Sequence, residues 1–263
     1  MIENNIKYSK TKIGVFDSGV GGLSILKVLK SQMPHDDFIY FGDTKNIPYG
    51  SKSKEDIINF GRNTLNFFKE KNVENVVVAC NTSSALAYET LKREYPELNI
   101  FPLIQTVASK ISKYNKIAVW ATVGTIKSGK YKEEILKYNK NVEVFEIPCP
   151  EFVGVVENSL YDDEKSIDLV NKTYTDTMKL SPDKIILGCT HYPYILKMLK
   201  DVQNSEIFID PASIFVEEIK KSFLDVQNVK TFGKVEFWVS LEPDKFIKNA
   251  KPFYEINSEV NLV

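Results

Sequence analysis

Two stretches, Val76-Val77-Val78-Ala79-Cys80-Asn81-Thr82 and Ile185-Ile186-Leu187-Gly188-Cys189-Thr190-His191, decide how this chain is read. Each is a short apolar run that ends on a cysteine and continues into small hydroxyl or amide side chains. That is the pattern of a strand buried on both faces and turning directly into a helix. Runs of the same kind recur at 13–16, 38–41, 100–104, 117–120, 142–147 and 207–209. Between them lie amphipathic stretches of helical length at 23–32, 56–71, 83–94, 128–139, 163–179, 193–201 and 212–223. In the first of these, apolar residues stand at 23, 25, 26, 28 and 29, one face of a helix. Strand then helix, repeated, predicts an α/β fold of mostly parallel sheets flanked by helices. Ligands bind such sheets beyond the carboxyl ends of the strands, so the strand-to-helix turns are where chemistry is sought.

The turns resemble one another across the two halves. Ile13-Gly14-Val15-Phe16-Asp17-Ser18-Gly19-Val20-Gly21-Gly22 is answered 104 residues later by Ile117-Ala118-Val119-Trp120-Ala121-Thr122-Val123-Gly124-Thr125, and Cys80 is answered 109 residues later by Cys189. The similar offsets predict two related, pseudo-symmetric α/β lobes. A length of 263 residues agrees, at about 150 residues per domain. The glycine turn after Phe16 is not a dinucleotide fingerprint, because the third glycine of G-x-G-x-x-G falls on Ser24. It leaves backbone N–H groups at a helix N-terminus, which suits a carboxylate, while Asp17 and Ser18 read equally well as helix caps.

Composition removes several classes of function. With 34 basic and 35 acidic residues the net charge is −1, against the basic surplus of a nucleic-acid binder. Only Arg62 and Arg93 are arginine, so bidentate phosphate clamps are scarce. No apolar run reaches the ~20 residues of a membrane span, and the opening residues lack a signal peptide's apolar stretch. The expectation is a cytoplasmic protein with a loose tail at 1–11. Three cysteines at 80, 149 and 189 are too few and too distant for a disulfide framework. Without C-x-x-C or H-x-x-x-H spacing no metal is expected, and no lysine in an apolar turn suggests a pyridoxal Schiff base. Cys149, between Pro148 and Pro150, reads as a packing thiol.

Cys80 and Cys189 differ from it. Each stands where a strand meets a helix N-terminus, whose partial positive charge is expected to pull a thiol below its ordinary pKa of about 8.5. His191 could relay a proton or steady a thiolate two residues past Cys189. Nucleophilic catalysis would need one thiol with an acid–base histidine and an oxyanion site. Two thiols facing a shared cleft fit proton transfer on both faces of one carbon, one removing a proton as thiolate and the other delivering one as thiol. Without a cofactor as electron sink, a dry polar site must stabilise the developing carbanion.

In order along the chain stand Phe16-Asp17-Ser18-Gly19-Val20-Gly21-Gly22-Leu23, Tyr40-Phe41-Gly42-Asp43-Thr44 with Pro48-Tyr49-Gly50, and Ala79-Cys80-Asn81-Thr82. The second half adds Ala121-Thr122-Val123-Gly124-Thr125-Ile126, Cys149-Pro150 with Phe152, Val153 and Glu157, and Leu187-Gly188-Cys189-Thr190-His191-Tyr192-Pro193. A weaker match runs through Phe237-Trp238-Val239-Ser240. This set resembles the cofactor-independent aspartate/glutamate racemase superfamily, most of all its glutamate-acting members.

The resemblance implies interconversion of L- and D-glutamate, supplying the D-isomer for peptidoglycan. It implies that Cys80 serves the D-enantiomer's face and Cys189 the L-enantiomer's. Asp17 and His191 would assist their neighbouring thiols, with Asp43 and Glu157 as auxiliary candidates. Substrate contacts would fall on Asp17, Ser18, Tyr49, Gly50, Asn81, Thr82, Thr125, Thr190 and His191. The first lobe would be discontinuous, 1–104 plus 210–263, the second would span 105–209, with the active site in the cleft between them, and the protein would form a homodimer. Gln105-Thr106, where a glycine-led linker is usual, and Ser240-Leu241-Glu242-Pro243, which replaces a glycine–aspartate pair, depart from the pattern. An aspartate racemase or related isomerase would share the cysteines. A non-catalytic amino-acid-binding module would not need them.

Overall fold

A computed structural model describes residues 11–200, 205–223 and 231–263. Positions 1–10 of the expected tail, and residue 201 of the helix expected at 193–201, lie outside them. The chain opens β1 (Lys12–Asp17), α1 (Leu23–Gln32), β2 (Asp37–Gly42), α2 (Lys54–Glu70), β3 (Asn75–Val78), α3 (Asn81–Leu86), α4 (Tyr88–Glu94), β4 (Asn99–Pro102) and α5 (Leu103–Ile111). It continues with β5 (Lys116–Ala121), α6 (Val123–Ser128), α7 (Lys130–Tyr138), β6 (Glu143–Pro148), α8 (Glu151–Glu157), α9 (Glu164–Met178), β7 (Lys184–Gly188) and β8 (Phe208–Ile209). It closes with α10 (Pro211–Lys220), β9 (Val235–Val239), α11 (Pro243–Ala250) and β10 (Val260–Leu262).

These strands form two parallel sheets, ordered β10-β9-β2-β1-β3-β4 and β6-β5-β7-β8. The order β2-β1-β3-β4 is the order β6-β5-β7-β8 repeated, which gives the internal similarity of the sequence its structural meaning. It also places the two cysteine turns at equivalent edges, after β3 and after β7. The extra strands β9 and β10 extend the first sheet beyond β2.

The central strands β1 and β5 are buried from their second residue onward, as an apolar run between helical layers requires. A continuous apolar core joins the layers of the two sheets: Leu23 and Leu26 of α1, Leu103, Ile104 and Val107 of α5 and Phe215 and Val216 of α10 pack in the same cluster as Val119 and Trp120 of β5. On the other face of the first sheet Phe16, Phe41, Phe67 and Phe68 pack with Ile57 of α2. The start of α2 follows local chemistry, with the Ser53 hydroxyl accepting from the Asp56 N–H at 3.1 Å while the Asp56 carboxylate accepts from the Ser53 N–H at 3.3 Å.

Several expected boundaries move. The helix expected over 83–94 divides at Ala87, and that over 128–139 begins earlier and divides at Gly129, whose φ of 64° caps α6 in the left-handed region. The strand expected to run to 104 stops at Pro102, which has no N–H for the ladder, and the Leu103 N–H goes instead to the Ser84 hydroxyl at 2.8 Å. Residues 192–198 form a 3-10 helix rather than an α-helix. Gln105 and Thr106 lie in the first turn of α5. There the Gln105 amide donates to the Ser84 carbonyl at 3.1 Å and the Thr106 hydroxyl to the Pro102 carbonyl at 2.6 Å. Among the described residues no helix is long and apolar enough to cross a membrane.

Candidate active site

Cys80 closes β3 and stands at the N-cap of α3, its backbone extended at φ −65° and ψ 120°. Its thiol is buried, and burial pushes its pKa up to about 12, with the nearby Asp17 charge adding to the rise against the Ser83 N–H and hydroxyl. This corrects the expectation of a depressed thiol. α3 has only six residues, and the field of so short a helix does not offset loss of water around the sulfur.

Cys189 follows β7 directly, and its Sγ lies 3.7 Å from His191 Nδ1. The other ring nitrogen, Nε2, lies 2.7 Å from Glu157 Oε1. Burial alone would disfavour the imidazolium, yet the hydrogen bonds to Cys189 and Glu157 hold the His191 pKa well above its ordinary value. Burial likewise acts against the Glu157 carboxylate, but His191, the Val20 N–H and the Asn249 side chain keep its pKa below the usual range. The result is a buried row from sulfur through imidazole to carboxylate.

Both thiols line one small cavity. Ser18, Tyr49, Gly50, Asn81, Thr82, Thr122, Val153, Thr190 and His191 complete its wall. Its volume is about 20 Å³, room for little more than one water. A larger neighbouring cavity of about 380 Å³ shares Val153 with it and touches neither thiol.

The remaining expected residues stand behind this wall. Asp17 is fully buried under the glycine turn, accepting from the Gly19 N–H at 3.0 Å and the Thr190 hydroxyl at 3.2 Å. Burial raises its pKa, against the His191 charge, the Gly19 and Gly22 N–H groups and the Thr190 hydroxyl. Asp43 accepts from the Tyr49 hydroxyl at 2.5 Å and the Ser240 hydroxyl at 2.7 Å, so the late Ser240 departure helps hold a cavity-lining tyrosine. Thr125 joins Thr82 and Thr122 in a knot of hydroxyls with spacings of 3.0 to 3.3 Å, tying α3 to the start of α6. Glu157 stands behind His191. Cys149 is buried, its carbonyl accepting from the Tyr192 hydroxyl at 2.7 Å, and lies outside the cavity wall.

Sequence reading missed Thr122 and Val153 as lining residues and Tyr131 as a partner of Asn81. Thr122 was recoverable, because it stands 104 residues after Ser18, the offset of the repeat. Tyr131 left no signal, since its ring reaches Asn81 from a helix 50 residues away.

The Glu157–His191 pair makes a prediction about stability. The raised His191 pKa stabilises the fold fully below its ordinary value of about 6.5 and loses that contribution as pH rises through the folded value. The lowered Glu157 pKa stabilises above its ordinary value of about 4.5 and loses it as pH falls through the folded value. Glu157→Gln is therefore expected to cost about 1–3 kcal/mol between these values, with the difference from wild type shrinking at alkaline pH. Urea denaturation at a series of pH values measures it. A difference that stays constant through alkaline pH would show that the imidazole is neutral in the fold.

A family model for Asp/Glu/Hydantoin racemases matches residues 23–219. A glutamate racemase from Thermoanaerobacter pseudethanolicus is 39% identical over 245 residues, 91% of each chain. The crystal structure of a Francisella tularensis glutamate racemase in complex with D-glutamate superposes with a TM-score of 0.86 at 31% identity, covering 97% of both chains. A glutamate racemase isoform from Bacillus anthracis gives a TM-score of 0.87 at 30% identity, over 97% of this chain and 98% of that one. By matched length and by identity, the chain belongs to the Asp/Glu/Hydantoin racemase family and is an isomerase of that family.

Proposed function

We propose that the chain is a glutamate racemase, interconverting L- and D-glutamate by proton transfer between Cα and two cysteines. The observation that carries this reading is that Cys80 and Cys189, at equivalent strand ends of two sheets, line the same small cavity. In the D-to-L direction the Cys80 thiolate takes the Cα proton, and the electron pair of that C–H bond remains on the carbon and its carboxylate. The Cys189 thiol then gives its proton to the opposite face and is left as the thiolate. The L-to-D direction runs the same steps with the thiols exchanged. Ser18, Tyr49, Gly50, Asn81, Thr82, Thr190 and His191 bind and orient the substrate, Thr125 holds the Thr82 and Thr122 hydroxyls from behind the wall, Asp17 and His191 tune the neighbouring thiols, and Asp43 and Glu157 hold their positions. The small cavity, with both thiols buried, supports a dry reaction site, in which fixed dipoles act strongly on the developing charge.

The same reading assigns 1–104 with 210–263 to one lobe and 105–209 to the other, and takes the lobes to part when substrate enters. It places the enzyme in the cytoplasm as a homodimer, where its product supplies D-glutamate to peptidoglycan.

Isotope exchange tests it. In deuterated water D-glutamate is expected to gain deuterium at Cα as L-glutamate accumulates, followed by NMR. Aspartate, shorter by one methylene, is expected to react about 10–200-fold more slowly. A faster reaction with aspartate would move the assignment to an aspartate racemase. Binding of glutamate with no exchange would make the chain a non-catalytic module.

A further inference from the structure

Asn81 lines the cavity immediately after Cys80, and its side chain is buried. Its Nδ2 amino group has no hydrogen-bond partner in the protein, while its Oδ1 accepts from the Tyr131 hydroxyl at 2.7 Å. Tyr131 is fully buried and comes from α7. Its ring rests against the backbone just before Cys189, where a Cβ on Gly188 would stand 3.0 Å from Tyr131 Cε2. One side chain thus bridges the residue preceding one thiol and the residue following the other.

We propose that Tyr131 is a positioning residue that fixes the Asn81 amide with its NH2 group facing the cavity, where it donates to a substrate carboxylate. This rests on the glutamate racemase reading above. An asparagine amide can be held either way round. With Oδ1 toward Tyr131, the tyrosine O–H has an acceptor and two N–H donors face the cavity. In the reversed orientation a carbonyl oxygen faces an anionic substrate, and the tyrosine O–H is buried without its acceptor. The tyrosine proton therefore selects the orientation that suits an anion. A buried amino group without a protein partner is rare unless a ligand completes it. Because Asn81 adjoins Cys80, the carboxylate within its reach is the one attached to the reacting carbon. Phenylalanine at 131 keeps the ring but leaves the two orientations nearly equal, so each encounter with substrate meets the wrong one about half the time and the right one is less firmly held.

Steady-state kinetics of Tyr131→Phe, Asn81→Ala and the double variant test the proposal. Asn81→Ala is expected to raise KM for both enantiomers by about tenfold or more, and Tyr131→Phe by about three- to tenfold, with kcat within about threefold of wild type, the pattern of lost uniform binding. In the Asn81→Ala background, adding Tyr131→Phe is expected to change nothing further, because its effect passes through that amide. Unchanged KM in either single variant, a loss confined to kcat, or penalties that multiply in the double variant would each overturn it. The Asn81→Ala result decides even if Tyr131→Phe folds poorly. A wild-type enzyme inactive on glutamate overturns the underlying reading instead, and is seen before any variant is made.

Discussion

Cys80→Ser and Cys189→Ser are each expected to lower kcat/KM for net racemisation by at least about 10³-fold, a barrier rise of about 4 kcal/mol. Serine keeps the shape of the side chain but is a far poorer proton carrier, and each half of the transfer depends on one sulfur. The loss must be equal in the two directions. Enantiomers have the same free energy in water, so their equilibrium constant is one and the two kcat/KM values fall together whichever thiol is removed. The asymmetry shows elsewhere. With Cys80 replaced, Cys189 is expected still to exchange the Cα hydrogen of L-glutamate with solvent, without inversion, and with Cys189 replaced Cys80 is expected to do so for D-glutamate. Circular dichroism follows racemisation, and NMR in deuterated water follows exchange. Either variant racemising at close to the wild-type rate would sink the two-base mechanism.

Gly50→Ala is expected to reduce kcat/KM by about 10²-fold while shifting the melting temperature by only a few degrees. Gly50 sits in the 3-10 turn Tyr49–Ser51 against the N-cap of α6, and a Cβ there would lie 2.5 Å from Thr122 Cβ. Glycine is needed here for close approach. An added methyl would hold this turn away from α6, loosening the cavity and the hydroxyl knot of Thr82, Thr122 and Thr125. Gly50 itself belongs to neither apolar core, although Tyr49 beside it packs on Phe16 and Phe60, so the cost to stability is confined to this turn. Kinetics alongside thermal melting separate the two effects. A variant that melts early and loses activity in proportion would make Gly50 a folding residue instead.

The strand ends that carry the chemistry were legible in the sequence because both signals are local. An apolar run of four to six residues identifies a buried strand, and the cysteine at its end needs no distant information. The repeat predicted two related lobes for the same reason, and the two sheets do share their strand order. What escaped was set by partners far along the chain. Leu103 and Ile104 look like the end of a strand until Ser84 takes the Leu103 N–H and turns the backbone into α5. The pairing of β9 with β2 joins segments nearly 200 residues apart, and its alternation is blurred by Glu236 and a half-buried Trp238. The Cys80 environment was misread on electrostatics. A helix N-terminus was visible in the sequence, but the closure that removes water from the sulfur was not.

That closure has a consequence for the life of the enzyme between turnovers. Peroxide and other cellular oxidants attack a thiolate they can reach, and a protonated sulfur in a space that admits one water offers neither condition. The packing around Cys80 therefore shields that sulfur from oxidative ageing. The rate at which the enzyme is poisoned by peroxide should follow how often it opens.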